Sequence, residues 1–152
     1  SRQNRETLSW DRPKELAQAD STSIPVLLHA QANISCDRIC LLQPTSPFRR
    51  PSDIEMCYKM MDHNGSDAVV SVTDAPSDLC FDLGLGNRLR PKQNVMVCNG
   101  AIYLITTEHL LNRGDWYNGV TYAYLMPRER SLDIDTKDDL ERARAYLLQE
   151  AA

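Results

Sequence analysis

No apolar run in this chain of 152 residues approaches the roughly 20 that a membrane-crossing helix needs, so no membrane role is expected. The polar start, Ser1-Arg2-Gln3-Asn4-Arg5-Glu6, reads as no secretion signal. Cations are in the minority: 17 Lys and Arg stand against 21 Asp and Glu, for a net charge of −4. A basic footprint for nucleic acid or an anionic membrane surface is therefore missing. A polyanionic nucleotide could be held only through local cations or a metal. Histidine is scarce, and the three present (His29, His63, His109) have no metal-ligand spacing, which argues against zinc. The five cysteines, at 36, 40, 57, 80 and 98, are odd in number and form no C-x-x-C pair. They sit mostly in apolar runs, as reduced thiols of a cytoplasmic protein do, and Cys36 and Cys40 lack the cationic surroundings of an activated thiol. Repeats, low-complexity tracts and linkers are absent too, so residues 1–152 read as one domain.

What is present is the balance of an ordinary globular chain, 42% hydrophobic and 25% charged. Pro13 predicts a short helical turn near residues 12–17. Ser21-Thr22-Ser23 supplies cap hydroxyls for a helix over 24–32, with Ile24, Leu27 and Leu28 inward. Arg38-Ile39-Cys40-Leu41-Leu42-Gln43 is an apolar run ending at Pro44, the pattern of a parallel strand buried on both faces. Pro44-Thr45-Ser46-Pro47 follows as a stiff loop with hydroxyls. Ser52 is the expected cap of a helix over 53–62, striped by Ile54, Cys57, Met60 and Met61 and closed by His63-Asn64-Gly65. Residues 67–72 predict a second buried strand. Pro76, Pro91 and the glycines between them interrupt 73–98, which is expected to leave the main sheet as an arm or short hairpin. A strand over 100–105, a helix over 108–112 capped by Thr107 and stopped by Gly114, and a strand over 121–126 come next. A last helix over 137–149 places Leu140, Ala143 and Leu147 on one face. Trp116, Tyr117, Tyr122 and Tyr124 read as packing. Strands alternating with helices of this length predict an α/β domain of three layers around a mainly parallel sheet. Ligands bind such sheets outside the C-terminal strand ends, where Gln43 to Ser46 and Asp135 to Thr136 are both expected.

Ser131 to Leu140 is the stretch richest in chemistry. In extended backbone Asp133 and Asp135 share one side while Leu132 and Ile134 share the other. The two carboxylates then stand roughly 6–7 Å apart and can both reach one small cation. Thr136 with Asp139 makes a short-acid capping box for the last helix. Read from the residues alone, the stretch is either a solvated strand edge with a helix cap or a Mg²⁺ and phosphate site. Other residues divide the same way. Gln43 caps its strand or points into the cleft, and Asn99-Gly100 is a turn or part of a site. Tyr103 is core or pocket; Arg12 meets a surface acid or a nucleotide.

Taken in order, Leu41-Leu42-Gln43-Pro44-Thr45-Ser46-Pro47 with Arg49, then Asn99-Gly100-Ala101-Ile102-Tyr103, then Ser131 to Asp139 resemble the motifs of the acylneuraminate cytidylyltransferases. These are the CMP-sialic acid synthetases, with relatives acting on legionaminic and pseudaminic acids. Arg12-Pro13-x-Glu15-Leu16-Ala17, Ser23 and His29-Ala30 are similar to that family's segment around the cytidine base. The resemblance runs over residues 11–149. It implies a nucleotide-diphospho-sugar-transferase-like, Rossmann-like fold, with 73–98 as the dimerisation arm of a homodimer. It also implies CTP and Mg²⁺: the anomeric hydroxyl of a nine-carbon 2-keto sugar acid attacks the CTP α-phosphate, and pyrophosphate leaves. By position, Asp133 and Asp135 match the metal-binding, catalytic pair, and Arg12 and Ser23 match residues near the cytosine and ribose. Gln43 matches a sugar-contacting glutamine, and Asn99 and Tyr103 match the sugar pocket. Arg88, Arg90 and Lys92 are the candidates for the sugar carboxylate. Nothing in residues 1–11 resembles the family's triphosphate-holding loop, roughly A-R-G-G-S-K followed by K-N. The expectation is a CMP-sugar-acid-forming cytidylyltransferase domain whose isolated chain turns over CTP poorly. The alternative is a catalytically impaired, cytidylyltransferase-like domain that serves binding or assembly.

Overall fold

The computed structural model describes residues 11–18, 21–75, 80–83, 85, 88–92 and 94–150. Pro13 leads into a single 3-10 turn, Lys14–Leu16. Helix α1 is Ser23–Asn33, with Leu27 buried and Ile24 and Leu28 packed beside it. Strand β1, Arg38–Leu41, is followed by helix α2, Pro51–Asn64. The cap of α2 is Arg50 with Asp53, not Ser52. Pro51 fits the first turn, where its missing N–H has no partner to lose, and the Asp53 carboxylate accepts the Arg50 N–H at 2.6 Å. Gly65 closes α2 in left-handed backbone, φ 58°. Strand β2 is Ala68–Asp74, β3 is Phe81–Leu83, β4 is Leu89–Pro91 and β5 is Met96–Thr106. Helix α3, Thr107–Arg113, is capped by Thr106, one residue before the expected position, whose hydroxyl accepts the His109 N–H. Strand β6, Thr121–Leu125, and helix α4, Lys137–Glu150, complete the order.

The main sheet runs β1-β5-β2-β6. Strand β5 is antiparallel to both β1 and β2, and β2 with β6 is its parallel pair. The sheet is therefore mixed, where a mainly parallel one was expected. The cause is the connection: among the described residues no α-helix lies between β2 and β5, and the two pair side by side in opposite directions. Strand β1 is a correction of the same kind. Expected inside the sheet, it lies at the edge of the described sheet and its four residues are only half-buried. Full burial falls to β2, from Ala68 to Thr73. Of the stretch 73–98 expected to leave the sheet, both ends stay in it. Strands β3 and β4 form a separate antiparallel ribbon, while the main ladder continues out to Asp74 opposite Met96.

Helices cover both faces. Cys57 and Met61 of α2 pack on Val69 and Leu104, while Leu27 of α1 and Leu110 of α3 pack on Ala68, Val70 and Ile105. Neighbouring residues along β2 thus serve opposite cores, as period-2 alternation requires. Helix α4 is seated by Ala143, 3% exposed, and by Tyr146, whose ring meets Phe48 edge-on at 4.8 Å. The rest of its expected inner face is not covered: Leu140 is 40% and Leu147 55% exposed. Among the described residues no helix is long and apolar enough to cross a membrane.

Residues 132–135 belong to no strand. Pro127 cannot extend the β6 ladder, and a 3-10 turn at Arg128–Arg130 carries the chain away from it. The stretch is instead tied to the loop after β1 by the Ile134 N–H, which donates to the Thr45 carbonyl at 2.8 Å. The capping box expected at Thr136 and Asp139 is formed. The Asp139 carboxylate accepts the Thr136 N–H at 3.0 Å, and the Thr136 hydroxyl accepts the Asp139 N–H at 3.2 Å.

Candidate nucleotide and sugar-acid site

The site is built around an irregularity in the β2–β5 ladder. Val70 pairs with Tyr103 and Val72 with Cys98, so Ser71 alone stands against Asn99, Gly100, Ala101 and Ile102. Such a bulge bends a strand and re-aims its side chains, and it needs other partners for its backbone. Buried Ser71 supplies them: its hydroxyl lies 2.6 Å from Asn99 Oδ1 and accepts the Ile102 N–H at 2.7 Å. Asn99 Oδ1 also takes the Ala101 N–H, and Asn99 Nδ2 donates to Ser131 Oγ at 2.9 Å. Asn99 is thus a framework residue, 5% exposed, joining the bulge to the loop that carries the acids.

Gly100 lies in left-handed backbone at the tip of this bulge, φ 75°. A Cβ there would stand 2.5 Å from Gln43 Oε1, 2.9 Å from Ser46 Oγ and 3.2 Å from Asp133 Oδ2. Three oxygens from two loops therefore converge where only a hydrogen fits. Ser46, 1% exposed, faces both the Asn99 carbonyl (3.1 Å) and Asp133 Oδ1 (3.2 Å), and its single proton serves one of them at a time. Arg49 fixes this loop by donating through Nη1 to the Gln43 and Ser46 carbonyls, each at 2.7 Å.

A cleft of about 220 Å³ opens beside Gln43 and reaches Arg12, Thr22, Ser23, Val26 and Leu41. It offers one guanidinium, hydroxyls at the start of α1 and an apolar floor. Thr22, at the cap position, makes no side-chain bond to its helix, which leaves the hydroxyl for another partner. The structure thus brings Arg12, Ser23 and Gln43 to one cleft, and Gln43 and Asp133 to one cradle. Asp133 is half-buried while Asp135 is exposed. Two carboxylates suit Mg²⁺, a hard cation that takes one or two acids and completes its shell with phosphate and water oxygens. Among the described residues no group of three or more His, Cys, Asp or Glu assembles for a metal. Tyr103 packs on Trp116 with ring centres 5.1 Å apart. Burial, with Cys98 and Asp133 nearby, pushes its phenol above the usual value. Arg88 and Arg90 are exposed on the arm, Lys92 pairs with Asp82 at 3.2 Å, and none of the three lines the cleft.

The buried polar residues beneath the site carry little signal in the sequence. Ser46 stands there as a hydroxyl of the loop after β1 and part of a motif, and Ser71 as an ordinary strand residue. Most prominent is Asp53, 2% exposed, whose carboxylate accepts from the Arg50 N–H, from the Tyr124 hydroxyl at 2.8 Å and from the Arg130 guanidinium. Burial raises its pKa, but the bonds from Arg130, Arg50 and Tyr124 outweigh burial and hold it below the usual carboxylate value.

No family profile matches the chain. Curated proteins do. The N-acylneuraminate cytidylyltransferase of Escherichia coli O18:K1:H7 is 33% identical over 147 residues, which is 87% of this chain and 35% of that protein. That of Streptococcus agalactiae serotype III is 29% identical over 143 residues, 84% of this chain and 35% of the relative. The CMP-N,N'-diacetyllegionaminic acid synthase of Legionella pneumophila is 27% identical over 152 residues, 88% of this chain and 66% of the relative. By name these relatives are nucleotidyltransferases that make CMP-activated sugar acids. The resemblance to the acylneuraminate cytidylyltransferases thus holds across most of this chain, which spans only part of its relatives' length.

Proposed function

We propose that this chain carries the nucleotide and sugar-acid site of a cytidylyltransferase that forms a CMP-activated nine-carbon sugar acid from CTP. The observation that carries the reading is the convergence over Gly100. Gln43 and Ser46 share one motif and Asp133 lies 87 residues beyond Ser46, yet their oxygens meet around one glycine hydrogen. In this reading the cleft at Arg12 and Ser23 takes the cytosine and ribose, whose flat apolar face and hydrogen-bonding edge match an apolar floor rimmed by hydroxyls. Gln43 lies between that cleft and Asp133, so a sugar acid bound beside it would present its anomeric hydroxyl toward the α-phosphorus. One new P–O bond forms and the bond to pyrophosphate breaks. Asp133 and Asp135 would hold Mg²⁺, which when bound neutralises phosphate charge and lowers the barrier to attack. The protein's own part is positioning, since the reaction needs no covalent nucleophile. The arm formed by β3 and β4 is the proposed homodimer contact, and its Arg88 and Arg90 would meet a sugar carboxylate only across such a contact.

The test is calorimetry of CTP with Mg²⁺ on this chain beside the Asp133→Ala, Asp135→Ala double variant. Metal-dependent binding lost in the variant is the expected result. CTP binding that is indifferent to both metal and variant would refute the assignment of the acids.

A further inference from the structure

We propose that Asp53 and Arg130 form a positioning clamp that sets where Asp133 stands relative to Gln43 and Ser46. The clamp rests on the proposed reading only in taking Asp133 as a site residue. Asp53 begins α2, immediately after the loop that carries Gln43 and Ser46, and its carboxylate accepts the Arg50 N–H that ends that loop. The same carboxylate binds Arg130, three residues before Asp133, and the Tyr124 hydroxyl on β6, the strand that leads into the acidic loop. One buried anion therefore touches the root of both loops whose oxygens meet over Gly100. Arg130 is itself sequestered, its side chain 14% exposed. Ser131, the next residue, accepts from Asn99 Nδ2, so the clamp and the β5 bulge grip adjacent positions. Beyond them the Ile134 N–H reaches the Thr45 carbonyl.

Stability alone is a poor reason for such an arrangement. Desolvating two ions costs about what their attraction returns, and well-packed apolar residues often serve the fold as well. What an ion pair adds is direction: a carboxylate with three donors fixed around it accepts little displacement. Arg49 immobilises the first loop from within, through the Gln43 and Ser46 carbonyls. Arg130 does the corresponding work for the second, from outside it.

The experiment is amide hydrogen exchange on the chain and on Arg130→Met, Arg130→Lys and Tyr124→Phe, read at Ile134 and at core amides such as Val69 and Leu104. The clamp predicts that Arg130→Met speeds exchange at Ile134 by about tenfold more than at the core. Tyr124→Phe should do so less, because it removes one bond and leaves the ion pair. Arg130→Lys should restore part of the protection. Ile134 and the core accelerating in step, or neither changing, would overturn the proposal and leave a plain stability contact. CTP affinity with Mg²⁺, measured on the same proteins, should fall with Arg130→Met in proportion to the Ile134 effect. If the unaltered chain binds no CTP, the functional reading fails while the exchange result still decides the clamp.

Discussion

Replacing Gly100 with alanine separates two costs that a matched variant can measure one at a time. Left-handed backbone disfavours an L-residue by about 1–2 kcal/mol. A stiffer unfolded chain returns about 0.4–1 kcal/mol of that. Gly65, φ 58°, isolates this strain, because a Cβ there would meet nothing within 4 Å. Gly65→Ala should therefore destabilise by about 1 kcal/mol. Gly100→Ala bears the same strain and adds crowding, with contacts of 2.5, 2.9 and 3.2 Å to Gln43, Ser46 and Asp133. Gln43 Oε1 ends a flexible side chain and can move aside. Ser46 Oγ cannot move far, being short, buried and bonded to the bulge. Overpacking of this kind costs about 1–3 kcal/mol, which is the expected difference between the two variants. In a domain of this size it corresponds to a further fall in Tm of about 2–4 °C per kcal/mol.

Urea unfolding of the three proteins, with equal m-values as the check on a shared unfolded state, gives the comparison. Ligand binding gives a second one. Gly100→Ala should lose Mg²⁺-dependent CTP binding, since Gln43 and Asp133 must part to admit the methyl, while Gly65→Ala retains it. Equal destabilisation of the two variants would refute the oxygen cradle, because strain alone would then account for Gly100.

Asp53 makes stability depend on pH. Its carboxyl lies below the usual value when folded, so the stabilisation is whole above the unfolded pKa of about 3.9 and is lost as pH falls through the folded one. Asp53→Asn should cost about 3–5 kcal/mol at pH 7, because it strands Arg130, and the gap to the unaltered chain should narrow at pH 3. A gap independent of pH would contradict the ionised pair. Among the cysteines, burial pushes the Cys40 thiol up to about 11 and the Cys57 thiol up to about 12, while Cys98 is exposed. Iodoacetamide at pH 8 should modify Cys98 well before Cys40 or Cys57, read by peptide mass spectrometry; Cys57 reacting as fast would refute its burial. Ser71→Ala removes the hydroxyl that accepts the buried Ile102 N–H and should cost about 1–3 kcal/mol in the same urea assay.

Local chemistry was legible in the sequence; partners were not. Gly65 and Gly114 stop helices where expected, and the Thr136–Asp139 box is formed as read, because caps involve residues a few positions apart. Strand pairing is different. Residues 38–43 and 67–72 are both apolar runs, yet full burial is found only in the second, from Ala68 to Thr73, since burial depends on what lies alongside. The direction of β5 was hidden by the irregular stretch before it, which contains the hairpin that reverses the chain. Distance explains the missed clamp as well: Asp53 and Arg130 are 77 residues apart, and neither has a local pattern beyond a helix start and a polar turn.

The candidate site nevertheless falls at the end of the sheet where a parallel architecture would have put it, and the mixed topology says why. Strands β1, β2 and β6 share one direction, so β2 ends at Asp74 on the same side of the sheet from which the loops carrying Gln43 and Asp133 leave. Strand β5 runs the other way and crosses that end midway along its length, where Asn99 to Ile102 bulge out opposite Ser71. A parallel strand would have contributed only its exit. The antiparallel one contributes a left-handed glycine whose missing side chain makes room for the oxygens of both neighbouring loops. The motif Asn99-Gly100 is thus explained by topology: Asn99 closes the bulge, Gly100 clears its tip, and the reversed strand delivers both to the C-terminal edge of its neighbours.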